Sequence, residues 1–177
     1  MIEHIDKLVD AGIDSLKIEG RGKSAYYVAV ITNAYRNAVD LYLKDPQHYQ
    51  APPWLVEETR KISHRAYSTG FFFGRPENGQ FYGSSGYIRQ WDIAAVVQGY
   101  AGGRLLCIQR NRFFKGDTLE ALIPRGGCMP LIAGALFDGD GNPIDSTPHP
   151  LMPFQIPFDH PLPQGTILRI QRPENSR

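Results

Sequence analysis

The first fifty residues combine two hydrophobic periods, one typical of helices and one typical of strands. Residues 15–19 alternate, with Leu16 and Ile18 on one face and polar side chains on the other, as successive strand residues do. An earlier apolar stripe has helical spacing and consists of Ile2, Ile5, Leu8 and Val9. A second helical period starts after an N-cap at Ser24 and runs to about Lys44. The pattern predicts a helix, a strand and a helix in that order.

Residues 51–86 have the pattern of a connector between two folded parts. Pro52 and Pro53 precede an amphipathic stretch at 54–65, which predicts a short surface helix. The run Gly-Phe-Phe-Phe-Gly at 70–74 is too apolar to lie free in water, so we expect it to anchor on a preceding barrel or on the next domain. Residues 75–86 are rich in glycine, asparagine and serine, which predicts a mobile loop.

From Tyr87 onward the chain changes to short strand-like runs separated by glycine-rich turns. The runs with strand patterning are 92–99, 104–110, 118–123, 129–137 and 166–171. Most of the prolines also lie in this part of the chain, and helical periods are few. An antiparallel β-barrel fits this pattern best.

The predicted fold class is α+β, and we divide the chain into three parts. Residues 1–50 are expected to be the terminal strand and helix of a (β/α) barrel, because one strand cannot bury two amphipathic helices by itself. Residues 51–86 form the helical connector and loop, and residues 87–177 form a small antiparallel β-barrel domain. On this interpretation the first part is the end of a larger barrel.

Several short motifs in the first ninety residues occur together in one known family. The strand-like segment reads Ser-Leu-Lys-Ile-Glu-Gly-Arg at 15–21, and it is followed by Lys-Ser at 23–24, Tyr-Tyr at 26–27 and Ala-Tyr-Arg at 34–36. A later segment reads Arg-Ala-Tyr-Ser-Thr-Gly-Phe at 65–71. This combination resembles the peptidase U32 family, the collagenase-like proteases whose relatives include enzymes of tRNA uridine hydroxylation and others that act on ribosomal RNA.

The resemblance implies that the chain is the C-terminal portion of a protease or of a tRNA or rRNA hydroxylation factor, and that it is inactive alone. It also implies a cysteine-rich signature in the preceding barrel, which can hold an iron–sulfur cluster in full-length relatives. Cys107 and Cys128 do not fit that signature, because they are far apart and have strand-like surroundings. We interpret them as ordinary buried thiols and expect no cofactor in this chain.

A group of charges at 17–23 predicts a site at the end of the first strand, where the functional rim of a barrel lies. Lys17, Arg21 and Lys23 are candidates for binding an anionic substrate group. Glu19 is the candidate catalytic residue, for proton transfer or for orienting Arg21. The alternative is a set of structural ion pairs at the barrel rim.

The charge balance limits how the chain could bind nucleic acid. Nineteen basic and eighteen acidic residues give a formal net charge of +1, so there is no global basic field. A local patch is nevertheless present, because Arg110, Arg112 and Lys115 lie beside Phe113 and Phe114. Basic residues with exposed aromatic rings are typical of RNA-stacking surfaces. The alternative is a solvated barrel face with both phenylalanines buried.

Other candidate groups are given structural roles. The alternation of aspartate, asparagine and glycine at 138–142 lacks the glutamate of a calcium loop and predicts a hairpin turn. The five histidines lack ligand spacing, so no metal site is predicted. Tyr26, Tyr27 and Tyr35 are interpreted as helix-packing residues.

Two functions from different classes remain open at this stage. The first is the U32-type enzyme portion, acting with the full-length protein on RNA or on a peptide. The second is a noncatalytic β-barrel module that binds RNA or a protein partner. No apolar run approaches the ~20 residues of a membrane span, so we expect a cytoplasmic protein without a membrane partner.

Overall fold

The computed structural model describes residues 1–75 and 87–172 of the chain. Contacts between residues separate two compact units, Met1–Gln90 and Trp91–Arg177. The first unit is mainly helical and the second consists of strands. Within the described ranges, each helix is too short or too polar to cross a membrane. The loop predicted at 75–86 lies, apart from Arg75, outside the described residues.

The described part of the first unit contains the two helices predicted from the periodicity and the short connector helix. These are α1 (Ile5–Asp10), α2 (Ala25–Lys44) and α3 (Pro53–Arg60), with 3₁₀ turns at Ile2–His4 and Pro46–His48. α2 begins as predicted, because the Ser24 hydroxyl accepts a hydrogen bond from the Tyr27 N–H at 3.2 Å. The buried cluster that joins the three helices contains Ile2, Ile5, Leu8, Ala34, Ala38, Tyr42 and Leu55.

The strand predicted at 15–19 is not formed in this chain. The alternation itself is present, since Leu16 and Ile18 are half-buried while Lys17 and Glu19 are exposed. However, residues 13–20 are irregular, and no described ladder includes them. A strand is stabilised by hydrogen bonds to a neighbouring strand, so its side-chain pattern alone does not produce one. The barrel end expected for residues 1–50 stays a prediction.

The three phenylalanines of the apolar run at 70–74 are exposed in the described residues. Phe71 is 79% exposed, and Phe72 and Phe73 are also exposed. Phe73 contacts the His4 ring edge-on and lies under the Lys7 ammonium, each at 4.7 Å. The run is thus exposed in the described residues, and its expected packing on a preceding barrel or on the next domain stays a prediction.

The second unit is one antiparallel sheet of eight strands in its described residues. The strands are β1 (Trp91–Ala101), β2 (Arg104–Gln109), β3 (Thr118–Leu122), β4 (Cys128–Ile132), β5 (Leu136–Asp138), β6 (Pro143–Ile144), β7 (Pro153–Pro157) and β8 (Ile167–Gln171). Their order is β4-β3-β8-β1-β2-β7-β5-β6. β1 is long and irregular, with register shifts after Ile93 and Val97, and such bulges bend a sheet.

One hydrophobic cluster forms the core of this unit. Strands near both ends of the strand order, as well as central strands, contribute side chains to it. It includes Leu131 of β4, Val97 of β1 and Leu136 of β5, all at most 3% exposed. The described residues of the unit contain no helix that could cover a flat sheet, so the strands must curl over their own apolar face. The described ladders do not join the outer strands β4 and β6, so the expected barrel is not closed by strand pairing.

The predicted strands match best where alternation and turn residues coincide, as in β1, β2, β3 and β8. The single strand predicted at 129–137 is instead divided into β4 and β5. β6 and β7 were not predicted, because each contains proline, which lacks a donor for the ladder. Pro143 lies on the outer strand β6, and Pro153 and Pro157 lie at the ends of β7, where a missing donor is tolerated.

We expect Phe154→Ala to destabilise the second unit strongly, because Phe154 is 1% exposed and contacts the Phe113 ring at 5.4 Å. The free energy of unfolding should fall by about 3–5 kcal/mol. The free energy of unfolding is measured by urea titration, with Trp91 fluorescence as the signal in a Trp54→Phe background. Ile132→Ala is the control, because Ile132 is 67% exposed and its truncation should cost about 0.5 kcal/mol or less. Equal unfolding midpoints for the two variants would contradict the core assignment.

We expect Cys107 to be unreactive in the folded protein. Burial raises the pKa of its thiol to about 12, so at pH 8 only about one molecule in ten thousand carries the thiolate. A Cys128→Ser variant isolates Cys107, and labelling with a thiol reagent should require urea. Rapid labelling of that variant without urea would show that the thiol is accessible.

Candidate functional site

The charged segment at 17–23 divides into two groups in the structure. Lys17, Glu19 and Arg21 are exposed. A Glu19 carboxylate oxygen accepts a hydrogen bond from the Arg21 backbone N–H at 2.8 Å, so this side chain closes a local turn. The catalytic role proposed for Glu19 and the substrate-binding roles of Lys17 and Arg21 stay predictions.

Lys23 has different surroundings, which we call the cation–aromatic cluster: Lys23, Tyr27, Arg65 and Tyr87. The Lys23 ammonium lies 4.7 Å from the centroid of the Tyr87 ring and 5.5 Å from that of Tyr27. It also donates a hydrogen bond to the Tyr87 hydroxyl at 3.4 Å. The Arg65 guanidinium lies 4.9 Å from the Tyr87 centroid. Both cations therefore contact the same ring.

Two local structures bring these four residues together. The Ser24 cap places Lys23 just before α2 and Tyr27 in its first turn. An antiparallel bridge between His64 and Ile88 positions the other two residues of the cluster, and its two N–H to O distances are 3.1 and 2.8 Å. Because Arg65 and Tyr87 are the chain neighbours of the bridged residues, the bridge holds them beside each other.

The two cations lower the pKa of the Tyr87 phenol. The hydrogen bond from Lys23 is the largest cause, followed by the positive charges of Lys23 and Arg65. Each of these interactions stabilises the phenolate more than the neutral phenol.

A cavity of about 440 Å³ adjoins the cluster and shares Tyr27 with it. We call it the tyrosine cavity, because Tyr27, Tyr35 and Tyr67 all line it. Other lining residues include Glu3, Ile31, Thr59, Arg60 and His64. The Tyr67 ring stacks on His64 with centroids 4.7 Å apart and planes 9° apart, and its hydroxyl donates to the Thr59 carbonyl at 2.5 Å. The ring is thus fixed in orientation.

Tyr35 and Tyr67 remain neutral at physiological pH. Burial raises the pKa of Tyr67 to about 12, and burial also raises the pKa of Tyr35. The lining therefore offers aromatic faces and neutral hydroxyls. Arg60 also lies there, but its charge is paired with the Glu57 carboxylate at 2.7 Å.

The motif residues from the sequence thus converge on one place. Lys23, Tyr27, Tyr35, Arg65 and Tyr67 all belong to the cluster or the cavity. The helix-packing interpretation holds for a neighbouring tyrosine, Tyr26, which is buried and donates to the Lys61 carbonyl at 2.7 Å. It is incomplete for the tyrosines that line the cavity.

The second unit contains the surface predicted for RNA, which we call the basic surface: Arg110, Arg112, Phe114, Lys115 and Arg172. Phe114 is 48% exposed, and the Arg112 guanidinium lies 5.0 Å from its ring centroid. Arg172 donates a hydrogen bond to the Arg112 carbonyl at 2.8 Å. Arg110 and Lys115 are exposed.

The two phenylalanines predicted for this surface have different positions. Phe113 is fully buried in the core, whereas Phe114 is exposed beside Arg112. The alternative of two buried rings is therefore wrong, and so is a surface with both exposed. Arg172 was missed from the sequence, because it follows β8, far along the chain from Arg112.

A second cavity, of about 380 Å³, lies in the second unit near a buried ion pair. Trp91, Glu120 and Cys128 are among its lining residues. Arg169 is 0% exposed; its Nε donates to Glu120 at 3.0 Å and its Nη2 to the Cys128 sulfur at 3.0 Å. The charge of Arg169 is thus compensated by Glu120, which is a structural role.

The cysteines do not fit an iron–sulfur site. Most iron–sulfur clusters take four cysteine thiolates, and the chain has two cysteines. Cys107 lies in the hydrophobic core and Cys128 contacts Arg169.

The turn at 138–142 is closed by hydrogen bonds within the chain, since Asp138 accepts backbone N–H bonds from Asp140 and Asn142 at 3.0 and 2.8 Å. The predicted hairpin turn is confirmed.

We expect Lys23→Met to raise the pKa of Tyr87 towards its ordinary value, because the substitution removes both the hydrogen bond and the charge that stabilise the phenolate. Titration of the Tyr87 ring carbon by NMR measures this change. Lys17→Met is the matched control, since Lys17 is also exposed and lies outside the cluster. An unchanged Tyr87 titration in Lys23→Met would contradict the observed contact.

Comparison with known proteins agrees with the resemblance seen in the motifs. Residues 1–81 match the profile of Peptidase family U32, and residues 89–169 match that of the Peptidase family U32 C-terminal domain. The tRNA hydroxylation protein P1 of Bacillus subtilis is 33% identical over 96% of this chain, which spans 41% of that relative. An uncharacterized protease of Methanocaldococcus jannaschii is 35% identical over 73% of this chain and 33% of its own length.

A solved structure is also similar in sequence. It is the C-terminal domain of a U32-type protein of Geobacillus thermoleovorans, 28% identical, covering 46% of this chain and 92% of that chain with a TM-score of 0.42. The two profiles together extend over nearly the whole sequence. The chain therefore belongs to the peptidase U32 family.

Proposed function

We propose that this chain binds tRNA as part of a U32-family protein that acts in tRNA hydroxylation. The relative that matches over 96% of the chain is named a tRNA hydroxylation protein. The observation that carries the proposal is the pairing of exposed Phe114 with Arg112 on the basic surface. An RNA substrate would place the chain in the cytoplasm.

The basic surface supplies the two kinds of contact that single-stranded RNA needs. The exposed Phe114 face can stack on an unpaired base, and the neighbouring guanidiniums can contact phosphate. Arg112 is held over the ring, which limits the side-chain entropy lost on binding. With a formal net charge of +1, affinity must come from such local contacts.

The role proposed for this chain is binding and orientation of RNA. The chain matches 41% of the length of the Bacillus protein. We assign the chemistry of the hydroxylation to the part of such longer proteins that this chain does not match. Among the described residues, Glu19 is exposed and its carboxylate is used by a hydrogen bond within its own turn, not by a partner for proton transfer. We therefore propose that the chain alone has no catalytic activity.

A filter-binding assay of tRNA at two salt concentrations tests the proposal. Binding should weaken as salt rises, and Arg112→Gln should reduce the slope of log affinity against log salt by about one. Phe114→Leu should weaken binding by about 1–3 kcal/mol at either salt concentration, because it removes a stacking face. The control is Arg36→Gln, which removes an exposed arginine that is paired with Asp40 on α2.

Absent or salt-insensitive tRNA binding by the intact chain would refute the proposal. Equal losses in Arg112→Gln and Arg36→Gln would refute the assignment to the basic surface. Binding of a denatured collagen peptide in place of tRNA would favour the protease relatives instead.

A further inference from the structure

We infer that the tyrosine cavity and the cation–aromatic cluster together form a nucleotide site, which takes one unstacked nucleotide of single-stranded RNA. The base would enter the cavity and its phosphate would meet Lys23 and Arg65. This inference rests on the proposed RNA-binding function but assigns a different surface, in the first unit.

The size and chemistry of the cavity suit a base. Its volume of about 440 Å³ lies within the range of small-molecule sites. Three tyrosine rings supply aromatic faces, and stacking on such faces tolerates any base. The Tyr67 ring is already fixed by His64 and by its hydrogen bond to Thr59, so little order has to be gained on binding.

The distribution of charge separates an uncharged part of a ligand from an anionic part. Inside the cavity, Arg60 is paired with Glu57. Met1 also lines the cavity, where burial lowers the pKa of its terminal ammonium and the Glu3 carboxylate offsets its charge. At its edge, Lys23 and Arg65 contact Tyr87. Among the described residues, neither cation has a carboxylate within ion-pair distance. A neutral base inside and a phosphate at the edge match this pattern.

The arrangement favours RNA in which the base is unpaired. A base can enter a cavity only when it is free of its stack and its partner, and single strands offer such bases without the cost of opening a duplex. Free mononucleotides also carry a base and an anionic phosphate. The experiment must therefore distinguish binding of a free mononucleotide from binding of a strand.

Fluorescence anisotropy of the intact chain with a labelled single-stranded RNA of about ten mixed nucleotides tests the inference. Tyr35→Leu should weaken binding about tenfold, since it removes a stacking face. Tyr35→Phe keeps the aromatic ring and should retain most of the affinity. Lys23→Met should weaken binding and lower the salt slope by about one. Phe71→Leu is the control, because it removes an exposed ring outside the cavity and the cluster.

Four outcomes would overturn the nucleotide site. One is unchanged binding in Tyr35→Leu with its helical content retained by circular dichroism. Another is an equal loss in Phe71→Leu. The third is equal affinity for the same strand annealed to its complement, which would indicate a duplex-binding surface. The fourth is displacement of the strand by adenosine monophosphate at equal concentration, which would indicate a free-nucleotide site.

The same titrations separate this inference from the proposed function. If Arg112→Gln and Phe114→Leu weaken binding while Tyr35→Leu does not, the basic surface is supported and the nucleotide site is refuted. If only the first-unit variants weaken binding, the nucleotide site is supported and the assignment to the basic surface is refuted. Absence of binding to any RNA refutes both.

Discussion

The pair of backbone hydrogen bonds between His64 and Ile88 is the interaction on which the first-unit site depends. It fixes two segments that are distant in sequence, so that Arg65 and Tyr87 meet next to Lys23 at the start of α2. Backbone bonds suit this purpose because they do not depend on side-chain rotamers. Once the bridge is formed, the cations hold the Tyr87 ring, and the stacked pair of His64 and Tyr67 forms a wall of the adjoining cavity. One short β-bridge between two distant segments is therefore enough to position the residues of this site.

The second unit obeys a different constraint, which is that a sheet without helices must cover its own apolar face. Adjacent residues in an extended segment point to opposite sides, so a core residue next in sequence to an exposed ring is an expected product of that constraint. Phe113 and Phe114 show it directly, since the first fills the core against Phe154 and the second lies outside beside Arg112. The exposed ring therefore has a buried neighbour that fixes its backbone. A ring held in this way is more rigid than one on a free loop.

The sequence predicted those features that depend on local order and missed those that depend on distant partners. The alternation of β1, β2, β3 and β8 and the Ser24 cap are local, and they were confirmed. The strand at 15–19 had the right alternation but needed a neighbour. Tyr87 could not be foreseen, because its contact with Lys23 spans 64 positions. The charges at 17–23 were predicted as one group, yet Glu19 is used by its own turn, a hydrogen bond that competes with any site.

Charge placement links the two surfaces to their expected behaviour. Each surface places arginine or lysine over an aromatic ring, whereas the chain as a whole has a formal net charge of +1. Long-range attraction to RNA is therefore weak, and encounter cannot be driven by the global field. Arg172 is paired with the Asp92 carboxylate at 3.5 Å, so the other three cations of the basic surface would release about two counterions from single-stranded RNA, a moderate salt dependence compared with strongly basic proteins. Stacking on neutral rings does not vary with salt in this way, so its share of the affinity should grow as ionic strength rises. On the proposed function, this charge distribution favours unpaired bases over the phosphate backbone that all nucleic acids share.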